Sequence, residues 1–537
     1  MQADLVLYNG IIYTPDSARP RAEAVAIAGN RILAVGEDDE LRGLLAPAGE
    51  ALDLQGRTVL PGFTDCHIHF LSYALRLTQI NLTGLASKEV VLERVAARAA
   101  ETPPGRWLEG GGWDRNLWAD PSFPTKKNLD RVAPRHPVAL SSKCGHALWA
   151  NSRALELAGI TADTPDPEGG EIVRHPATGE PRGILKEQAI QQVRQAIPRP
   201  EPEEMEEAMV LAIPHLHRAG LTGIHDCEGA EAFSAFQRLA SRGELKLRVL
   251  MHIPMENLDS AIQLGLRSGF GDEVLRIGSV KMFADGSLGA RTAAMLEPYE
   301  DEPDNRGIMV LSEEELKAVV ERACQAGIAP AVHAIGDRAT HAVLEAYEAH
   351  RALWAEQGLR PRIEHAQLLT PEDIQRFGRL GVIASMQPIH CTADMEMVER
   401  HWGMRGAGVY AFRSLLDVGA PLAFGSDCPV EDFSPLVGIH AAVTRRRADG
   451  FPGPQGWRPS ERITAAEAVR AYTQGAAYAS GEERLKGSIS PGKLADLVVL
   501  SQDIFTVNPM DILETEVMAT IFDGQFVYHR ADFSVGP

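Results

Sequence analysis

The chain has 537 residues, more than one average domain needs, so a large domain with an accessory domain is the first expectation. Hydrophobic residues make up 45% and charged residues 23% of the chain, which is typical of folded globular proteins and excludes a disordered or fibrous one. The formal net charge of -20 argues against nucleic acid or an anionic membrane surface as a partner, and it favours a small neutral or cationic substrate.

The first residues show no basic segment followed by a long apolar run, and no stretch approaches the about 18 apolar residues of a membrane span. Six cysteines are scattered without a C-x-x-C pair, which is typical of a reducing compartment rather than of a disulfide framework. They are Cys66, Cys144, Cys227, Cys324, Cys391 and Cys428. We therefore expect a cytoplasmic protein without a membrane anchor.

Both ends of the chain carry short apolar runs separated by turn signals, which predict β-hairpins. DLVLYNGIIYT and AEAVAIAGNRILAVG stand near the start, and SISPGKLADLVVLSQD and EVMATIFDGQFVYH stand near the end. Asn-Gly, Gly-Asn and Asp-Gly supply the turns. We predict that residues 1–57 and 486–537 together build one small β-domain.

Between these ends, eight strand-like apolar runs alternate with segments of helix length, the pattern of a parallel sheet covered by helices. The runs occupy residues 58–70, 221–226, 246–253, 276–285, 329–336, 361–366, 382–388 and 421–428. Eight such units predict an α/β fold with a closed (β/α)8 barrel over residues 58–485. The active site of such a barrel lies at the carboxyl ends of its strands.

About 150 residues separate the first predicted strand from the second, far more than a strand-to-helix connection needs. Residues 71–205 are therefore predicted to be an insertion, and because it follows strand one, it is placed to cover the active site. Trp107, Trp113 and Trp118 within it fit an apolar or aromatic substrate, and they fit packing inside the insertion equally well.

Four histidines stand at predicted strand ends. His67 and His69 are one residue apart on the first strand, so their side chains point to the same face, while His333 ends the fifth strand and His365 ends the sixth. A single such histidine is more often structural, but four at one end of a barrel indicate a metal site. Asp427 ends the eighth strand, which lies beside the first in a closed barrel, and its carboxylate suits the proton acceptor for a metal-activated water.

Lys281 lies on the fourth predicted strand. Metal cations would repel its ammonium group, so the side chain either points outward, pairs with a carboxylate, or has lost its proton. A neutral amine can add carbon dioxide to form a carbamate, whose oxygens can bridge two metals. Two metals about 3.5–4 Å apart would share the charge of the attacking nucleophile and of the developing oxyanion.

Five motifs, in this order, closely resemble the YtcJ-like branch of the amidohydrolase superfamily, also grouped as amidohydrolase family 3. They are LPGFTDCHIHF, VKMFADGSLGARTA, AVHAIGDRA, RIEHAQ and FGSDCPVE, and GHALWANSRAL and PGKLADLVVL extend the resemblance over nearly the whole chain. The resemblance implies a (β/α)8 barrel, a terminal β-sandwich, and one or two ions of zinc or another divalent metal. It implies metal ligation by His67, His69, a carboxylated Lys281, His333, His365 and Asp427, with Asp427 also acting as the catalytic acid and base.

Two departures from related sequences concern the substrate. Deaminases of the superfamily tend to carry a glutamate three residues after the strand-five histidine, where this chain has Gly336, so a deaminase is disfavoured. Relatives often have Asp-Gly-His where this chain has Cys144, Gly145 and His146. His146 is therefore either a substrate contact or a structural residue.

Three further residues are candidates for substrate contacts. Trp113 and Asp114 in the insertion either line the pocket or belong to the insertion's own core. Asp285 follows the lysine strand and either positions the substrate or holds the next loop.

Together, the residues and the resemblance predict a metal-dependent amidohydrolase that cleaves an amide-like C–N bond of a small organic molecule. The same metals would serve an esterase, a lactonase or an isomerase, and the sequence does not separate these. A non-catalytic binding barrel is the alternative from another class, and the presence of all six candidate ligands disfavours it. No phosphate-loop pattern indicates a nucleotide cofactor. A homodimer is suggested by the resemblance alone.

Overall fold

The computed structural model describes residues 2–14, 20–143, 145–403 and 408–533. The chain divides into two compact units, the first formed by Met1–Leu71 and Met209–Pro537 and the second by Ser72–Ala208. Cys144 lies outside the described residues, and the five cysteines within them are free thiols. In the described ranges, every helix is too short or too polar to cross a membrane.

The centre of the first unit is an eight-stranded parallel sheet whose strands follow one another in chain order. These strands are Phe63–Ile68, Leu221–Asp226, Arg248–Pro254, Leu275–Phe283, Pro330–Ala334, Arg362–His365, Ile383–Met386 and Leu422–Phe424. Beyond the eighth strand, Asp427 N donates to His67 O at 2.7 Å and His69 N donates to Cys428 O at 2.8 Å. Because these bonds join the end of the eighth strand to the first, the sheet closes, and the predicted (β/α)8 barrel is confirmed.

Helices connect the barrel strands and cover the outer face of the sheet, which is buried and needs a second layer. The helices of this part are Pro202–Arg218, Ala230–Ser241, Leu258–Gln263, Glu313–Gln325, Asp337–Ala349, Arg351–Glu356, Pro371–Leu380, Pro388–Ala393, Met395–His401, Phe412–Asp417, Pro435–Thr444, Ala465–Arg470 and Ala476–Ala479. Local sequence fixes several of their starts. Ser312 caps Glu313–Gln325 and pairs with Glu315 in a capping box, which satisfies the free N–H groups of the first turn.

The first predicted strand, residues 58–70, is in fact two strands that belong to different sheets. Thr58–Pro61 pairs with Leu497–Leu500, whereas Phe63–Ile68 pairs with Leu221–Asp226 in the barrel. Gly62 lies at the change of partner, where a Cβ atom would come within 2.3 Å of Thr222 Oγ1. The apolar run is continuous in sequence because both strands are buried, so periodicity alone predicts one strand.

Both chain ends contribute to two further sheets. The predicted hairpins at Gly29-Asn30 and Asp523-Gly524 are present. The hairpin predicted at Asn9-Gly10 is wrong, because Ala3–Tyr8 and Ile11–Tyr13 pair in different sheets. One sheet has the order Arg31–Gly36, Ala24–Ala28, Ala3–Tyr8, Leu45–Asp53, and the other has the order Gln525–His529, Val517–Phe522, Leu497–Leu500, Thr58–Pro61, Ile11–Tyr13, Arg21–Ala22. Inward side chains of both sheets share one apolar core that includes Leu7, Ile27, Val59, Val499 and Ile521. This packing is a β-sandwich, the form that the family resemblance implied for the predicted terminal β-domain.

The second unit has a six-stranded sheet of its own, in the order Gly170–Arg174, Pro181–Glu187, Ala147–Ala150, Val138–Ser142, Leu108–Trp113, Ile80–Asn81. Its helices include Lys88–Glu101, Lys126–Val132, Ser152–Leu157 and Ile190–Arg194. The Trp113 ring lies 6.0 Å from that of Trp118 and 6.3 Å from that of Trp149, measured between ring centroids. These tryptophans therefore build the core of the unit, which explains their presence without a substrate.

Candidate metal centre

Asp427 is the centre of the candidate site, and imidazole nitrogens surround its carboxylate. His69 Nε2 lies 3.3 Å and His67 Nε2 lies 3.6 Å from Asp427 Oδ1. The ligand atoms of these three residues lie within 4.8 Å of one another, a spacing that one metal ion can bridge. The His-x-His pattern and the closure of the barrel thus bring strands one and eight to the same point.

Strands four, five and six complete the cluster. The His365 ring centroid lies 4.8 Å from that of His67 and 4.5 Å from that of His333. The Lys281 charge acts electrostatically on all three of these imidazoles. All six side chains that the sequence singled out therefore lie together at the carboxyl ends of the barrel strands, and their role as ligands stays a prediction.

Hydrogen bonds fix which nitrogen of each imidazole carries a proton. His67 Nδ1 donates to Glu364 Oε2 at 2.6 Å, and His365 Nδ1 donates to Gln387 Oε1 at 2.8 Å. His333 Nε2 donates to the backbone oxygen of Gly286 at 2.9 Å. Because these partners can only accept, the opposite ring nitrogen of each neutral histidine keeps its lone pair.

The charge states of His67, His333, His365 and Asp427 suit a cation site. Burial, reinforced by the Lys281 charge, lowers the pKa of His67 and lowers that of His333 to about 3. Burial also lowers the pKa of His365 far below its ordinary value, with the neighbouring His333 adding to the effect. Burial alone would raise the pKa of Asp427, but hydrogen bonds from His390 and His69 hold it well below its usual range. Neutral imidazoles and an ionised carboxylate are the forms that bind metals.

Lys281 lies in an environment that is unusual for a lysine side chain. Its side chain is buried, and Nζ has no hydrogen-bond partner among the described residues. Nζ lies over the Phe283 ring, 4.6 Å from the ring centroid. An ammonium group buried in this way is costly unless another group completes its surroundings. Three imidazole lone pairs, one carboxylate and this orphaned amine form a donor set that fits a divalent metal.

His390 belongs to the same cluster, and the sequence reasoning missed it. It lies in the helix Pro388–Ala393, directly after strand seven, and its Nε2 lies 3.3 Å from Asp427 Oδ2. The ligand atoms of His365, His390 and Asp427 again lie within 4.8 Å of one another. The available signal was its position beside the carboxyl end of a barrel strand, but it stands in a helix, outside the strand ends on which the prediction relied.

The backbone is strained where it aims two of these side chains. His365 has φ 74° and Asp427 has φ 62°, both in the left-handed region that favours glycine. Each such residue costs on the order of 1–3 kcal/mol and persists only where its surroundings hold it in place. The backbone bond from Asp427 N to His67 O supplies part of that restraint.

Asp285 is buried and holds backbone in place. Its Oδ2 accepts from Ala294 N at 2.9 Å and from Gly336 N at 2.8 Å, and its Oδ1 accepts from Ile335 N at 3.0 Å. Burial raises the pKa of this carboxyl to about 7. These bonds support the interpretation in which Asp285 fixes the loop after strand four, and its contact with substrate stays a prediction.

The candidates in the second unit lie around one cavity of about 460 Å³, which Trp113, Asp114, His146 and Glu187 help to line. His146 Nδ1 lies 3.0 Å from Glu187 Oε2. Asp114 Oδ1 accepts from Asn116 N at 3.0 Å and so caps a short turn, while Trp113 belongs to the core of the unit. Each has a structural partner of its own, and their role in substrate binding stays a prediction.

A model of the amidohydrolase family matches residues 50–528. The chain belongs to the amidohydrolase family. Among its amidohydrolase relatives, YtcJ of Bacillus subtilis is 35% identical over 534 residues, covering 98% of this chain and 99% of YtcJ. The N-substituted formamide deformylase of Arthrobacter pascens is 32% identical over 547 residues, covering 98% of each chain. The resemblance predicted from the motifs is confirmed.

Solved structures agree with this assignment. An uncharacterized metal-dependent hydrolase from Pyrococcus horikoshii OT3 is 30% identical, with a TM-score of 0.78 over 94% of this chain and 99% of the other. Its counterpart from Pyrococcus furiosus is 31% identical, with a TM-score of 0.76 and the same coverage. Membership of the amidohydrolase family and these likenesses support a hydrolase that uses a divalent metal.

Proposed function

We propose that this amidohydrolase hydrolyses an amide-like C–N bond of a small organic molecule with a water molecule activated at the barrel mouth. The observation that carries the proposal is the convergence of imidazole lone pairs and one ionised carboxylate around a buried amine. Folding does not require a polar cluster of this kind, since burying a polar or charged side chain costs more free energy than burying an apolar one.

The residues present fit zinc or another divalent ion. His67, His69 and Asp427 would hold one ion, and His333 and His365 would hold a second or complete the site of the first. When bound, such an ion lowers the pKa of a coordinated water to about 7 and polarises the carbonyl of the substrate.

Asp427 is the proposed proton carrier, because its Oδ1 faces His67 and His69 at the open end of the barrel. It would accept a proton from the attacking water as the C–O bond forms, and it would deliver that proton to the nitrogen as the C–N bond breaks, so that the amine leaves neutral. His390 faces Oδ2 and holds the carboxylate in one orientation. This reaction requires no cysteine nucleophile. Cys66 lies on the same strand as His67, and burial raises the pKa of its thiol.

We propose that Lys281 carries a carbamate. Its neutral amine would attack the carbon of carbon dioxide, form an N–C bond and release one proton, which converts the side chain into an anionic oxygen donor. The absence of any hydrogen-bond partner for Nζ in the described part of the chain supports this modification, since the carbamate oxygens would give the side chain a role that the buried ammonium lacks.

An N-formyl or small N-acyl amine is the proposed substrate class. The relative from Arthrobacter pascens that spans 98% of this chain is named for the deformylation of N-substituted formamides, which supports amide over ester cleavage. The same groups could attack an ester, a lactone or another carbonyl, so these compounds are the necessary controls. Gly336 supports amide cleavage over hydrolytic deamination, because a Cβ atom there would come within 1.9 Å of Ala294 O, which leaves no room for a glutamate.

Metal analysis and a substrate screen test the proposal together. We expect one or two divalent ions per chain, loss of activity on chelation, recovery on adding zinc, and hydrolysis of N-formyl and N-acyl amines in preference to matched esters. Activity that survives complete removal of metal would contradict the metal centre. Turnover of esters alone would contradict the amide assignment.

Replacing Lys281 tests the carbamate. We expect Lys281→Ala to lose bound metal. It should also lower kcat/KM by more than about 10–100-fold, which is the usual effect of replacing a residue that hydrogen-bonds to a metal ligand. Isotope-labelled bicarbonate should label the wild-type protein and not the variant. The matched control is Lys486→Ala, which removes a buried lysine that pairs with Glu482 at 3.0 Å and should cost stability without loss of metal. Full metal content and activity in Lys281→Ala would exclude the carbamate.

A further inference from the structure

We propose that Glu364 and Arg362 form a buried positioning pair that sets the metal affinity of His67, an inference that rests on the proposed metal centre. Both residues belong to barrel strand six, Arg362–His365, where positions 362 and 364 share a face because side chains alternate. Both side chains are fully buried. Because water does not reach this charged pair, it contributes nothing to solubility, and its burial costs free energy that another role must explain.

Glu364 links the pair to the metal centre. Its Oε2 accepts from His67 Nδ1 at 2.6 Å, and its Oε1 accepts from Arg362 Nε at 2.5 Å. Arg362 Nη2 also donates to Oε2 at 3.2 Å. The guanidinium thus donates to both oxygens of the carboxylate, and Oε2 also accepts from the imidazole.

Arg362 is in turn fixed by three other strands. Its Nη2 donates to Cys66 O at 2.7 Å and to Ser385 Oγ at 2.6 Å, and its Nη1 donates to His225 Nδ1 at 2.9 Å. These partners belong to barrel strands one, seven and two. Because the guanidinium is anchored across the barrel interior, it holds the Glu364 carboxylate against His67.

The consequence falls on the metal-facing nitrogen. A carboxylate that accepts the Nδ1 proton fixes the tautomer with its lone pair on Nε2, and its charge makes that nitrogen a stronger donor to a cation. His365 and His333 are held by neutral acceptors, Gln387 Oε1 and Gly286 O. Among these three described imidazoles, His67 is therefore the one that donates its ring N–H to a carboxylate.

Cobalt binding tests the proposal without using activity. Metal-free wild-type protein and the Glu364→Gln variant are titrated with Co²⁺, while visible absorption reports the geometry of the bound ion and bound metal is counted after gel filtration. Glutamine keeps the shape and an acceptor oxygen but removes the charge, so we expect Co²⁺ to bind about 10–100-fold more weakly, with a changed absorption band.

The matched control is Glu482→Gln, the same substitution at a buried carboxylate that pairs with Lys486 at 3.0 Å. It should lower stability and leave the Co²⁺ affinity and spectrum unchanged. If Glu364→Gln does not fold, the double variant Arg362→Met with Glu364→Leu removes the whole pair and leaves no unpaired charge. It is expected to show the same weakened binding.

The outcomes separate the two proposals. Wild-type protein that binds no Co²⁺ contradicts the metal centre itself. Wild-type protein that binds Co²⁺, together with an unchanged affinity in Glu364→Gln or in the folded double variant, overturns the positioning role alone. Equal weakening by Glu482→Gln would also overturn it, because the effect would then be one of general stability.

Discussion

At the residue scale, the carboxylate of Asp427 is held from two sides. His67 and His69 face Oδ1, and His390 faces Oδ2 at 3.3 Å. A carboxylate that must accept a proton and return it to another atom benefits from one fixed orientation, since misplacement of a reacting group is costly. His390 is thus a positioning residue for the proposed proton transfer.

We predict that His390→Gln lowers kcat by about 10–100-fold, the range typical of residues that orient a metal centre. KM should change less, because the loss concerns proton transfer rather than substrate binding. Steady-state kinetics with a metal count checks this prediction. The control is His341→Gln, since His341 pairs with Asp373 at 3.1 Å outside the site and should leave kcat unchanged. A wild-type kcat in His390→Gln would show that Asp427 needs no such support.

At the element scale, the loop after barrel strand four packs closely against the start of the helix Asp337–Ala349. Asp285 bonds the backbone of Ala294 and of Gly336, and a Cβ atom on Gly336 would come within 1.9 Å of Ala294 O. The contact is with backbone, so a side chain at residue 336 cannot be accommodated by a rotamer change.

Gly336→Ala should therefore destabilise the protein by about 1–3 kcal/mol, the usual cost of overpacking. Denaturation in urea measures this loss. Gly289→Ala is the control, because the nearest atom to its Cβ position is Met397 Sδ at 3.9 Å and no steric cost is expected. Equal stability of the two variants would contradict the close approach.

At the scale of the whole molecule, a buried ion pair between Arg248 and Asp496 helps to join the barrel of the first unit to the sandwich. Arg248 opens barrel strand three, and its Nε and Nη2 donate to Asp496 at 2.8 and 2.9 Å, just before the sandwich strand Leu497–Leu500. Both side chains are almost fully buried, 3% and 5% exposed. Arg248 Nη2 also donates to Asp523 Oδ1 at 2.8 Å, so loss of Asp496 leaves the guanidinium with this half-exposed carboxylate as its remaining charged partner.

We predict that Asp496→Asn lowers the free energy of unfolding by about 1–3 kcal/mol, the usual cost of removing a charged hydrogen-bond partner, because Asp523 still pairs with Arg248. Urea denaturation followed by both fluorescence and circular dichroism measures the change. Asp532→Asn breaks the exposed pair with Arg530 and should have no measurable effect. A loss below about 1 kcal/mol in Asp496→Asn would show that Asp523 or water replaces Asp496 as the partner of Arg248.

The sequence by itself determined the barrel, the paired terminal segments and six candidate ligands, because strand alternation and motif spacing depend on residues close together in the chain. The sequence pattern predicted one strand over residues 58–70. Both strands in this range are buried, so the apolar run does not show that the chain changes sheet at Gly62. Only the tertiary structure placed His390 against Asp427 and Glu364 against His67. His67 and Glu364 lie 297 positions apart, and closing the barrel is what brings the imidazole within 2.6 Å of the carboxylate.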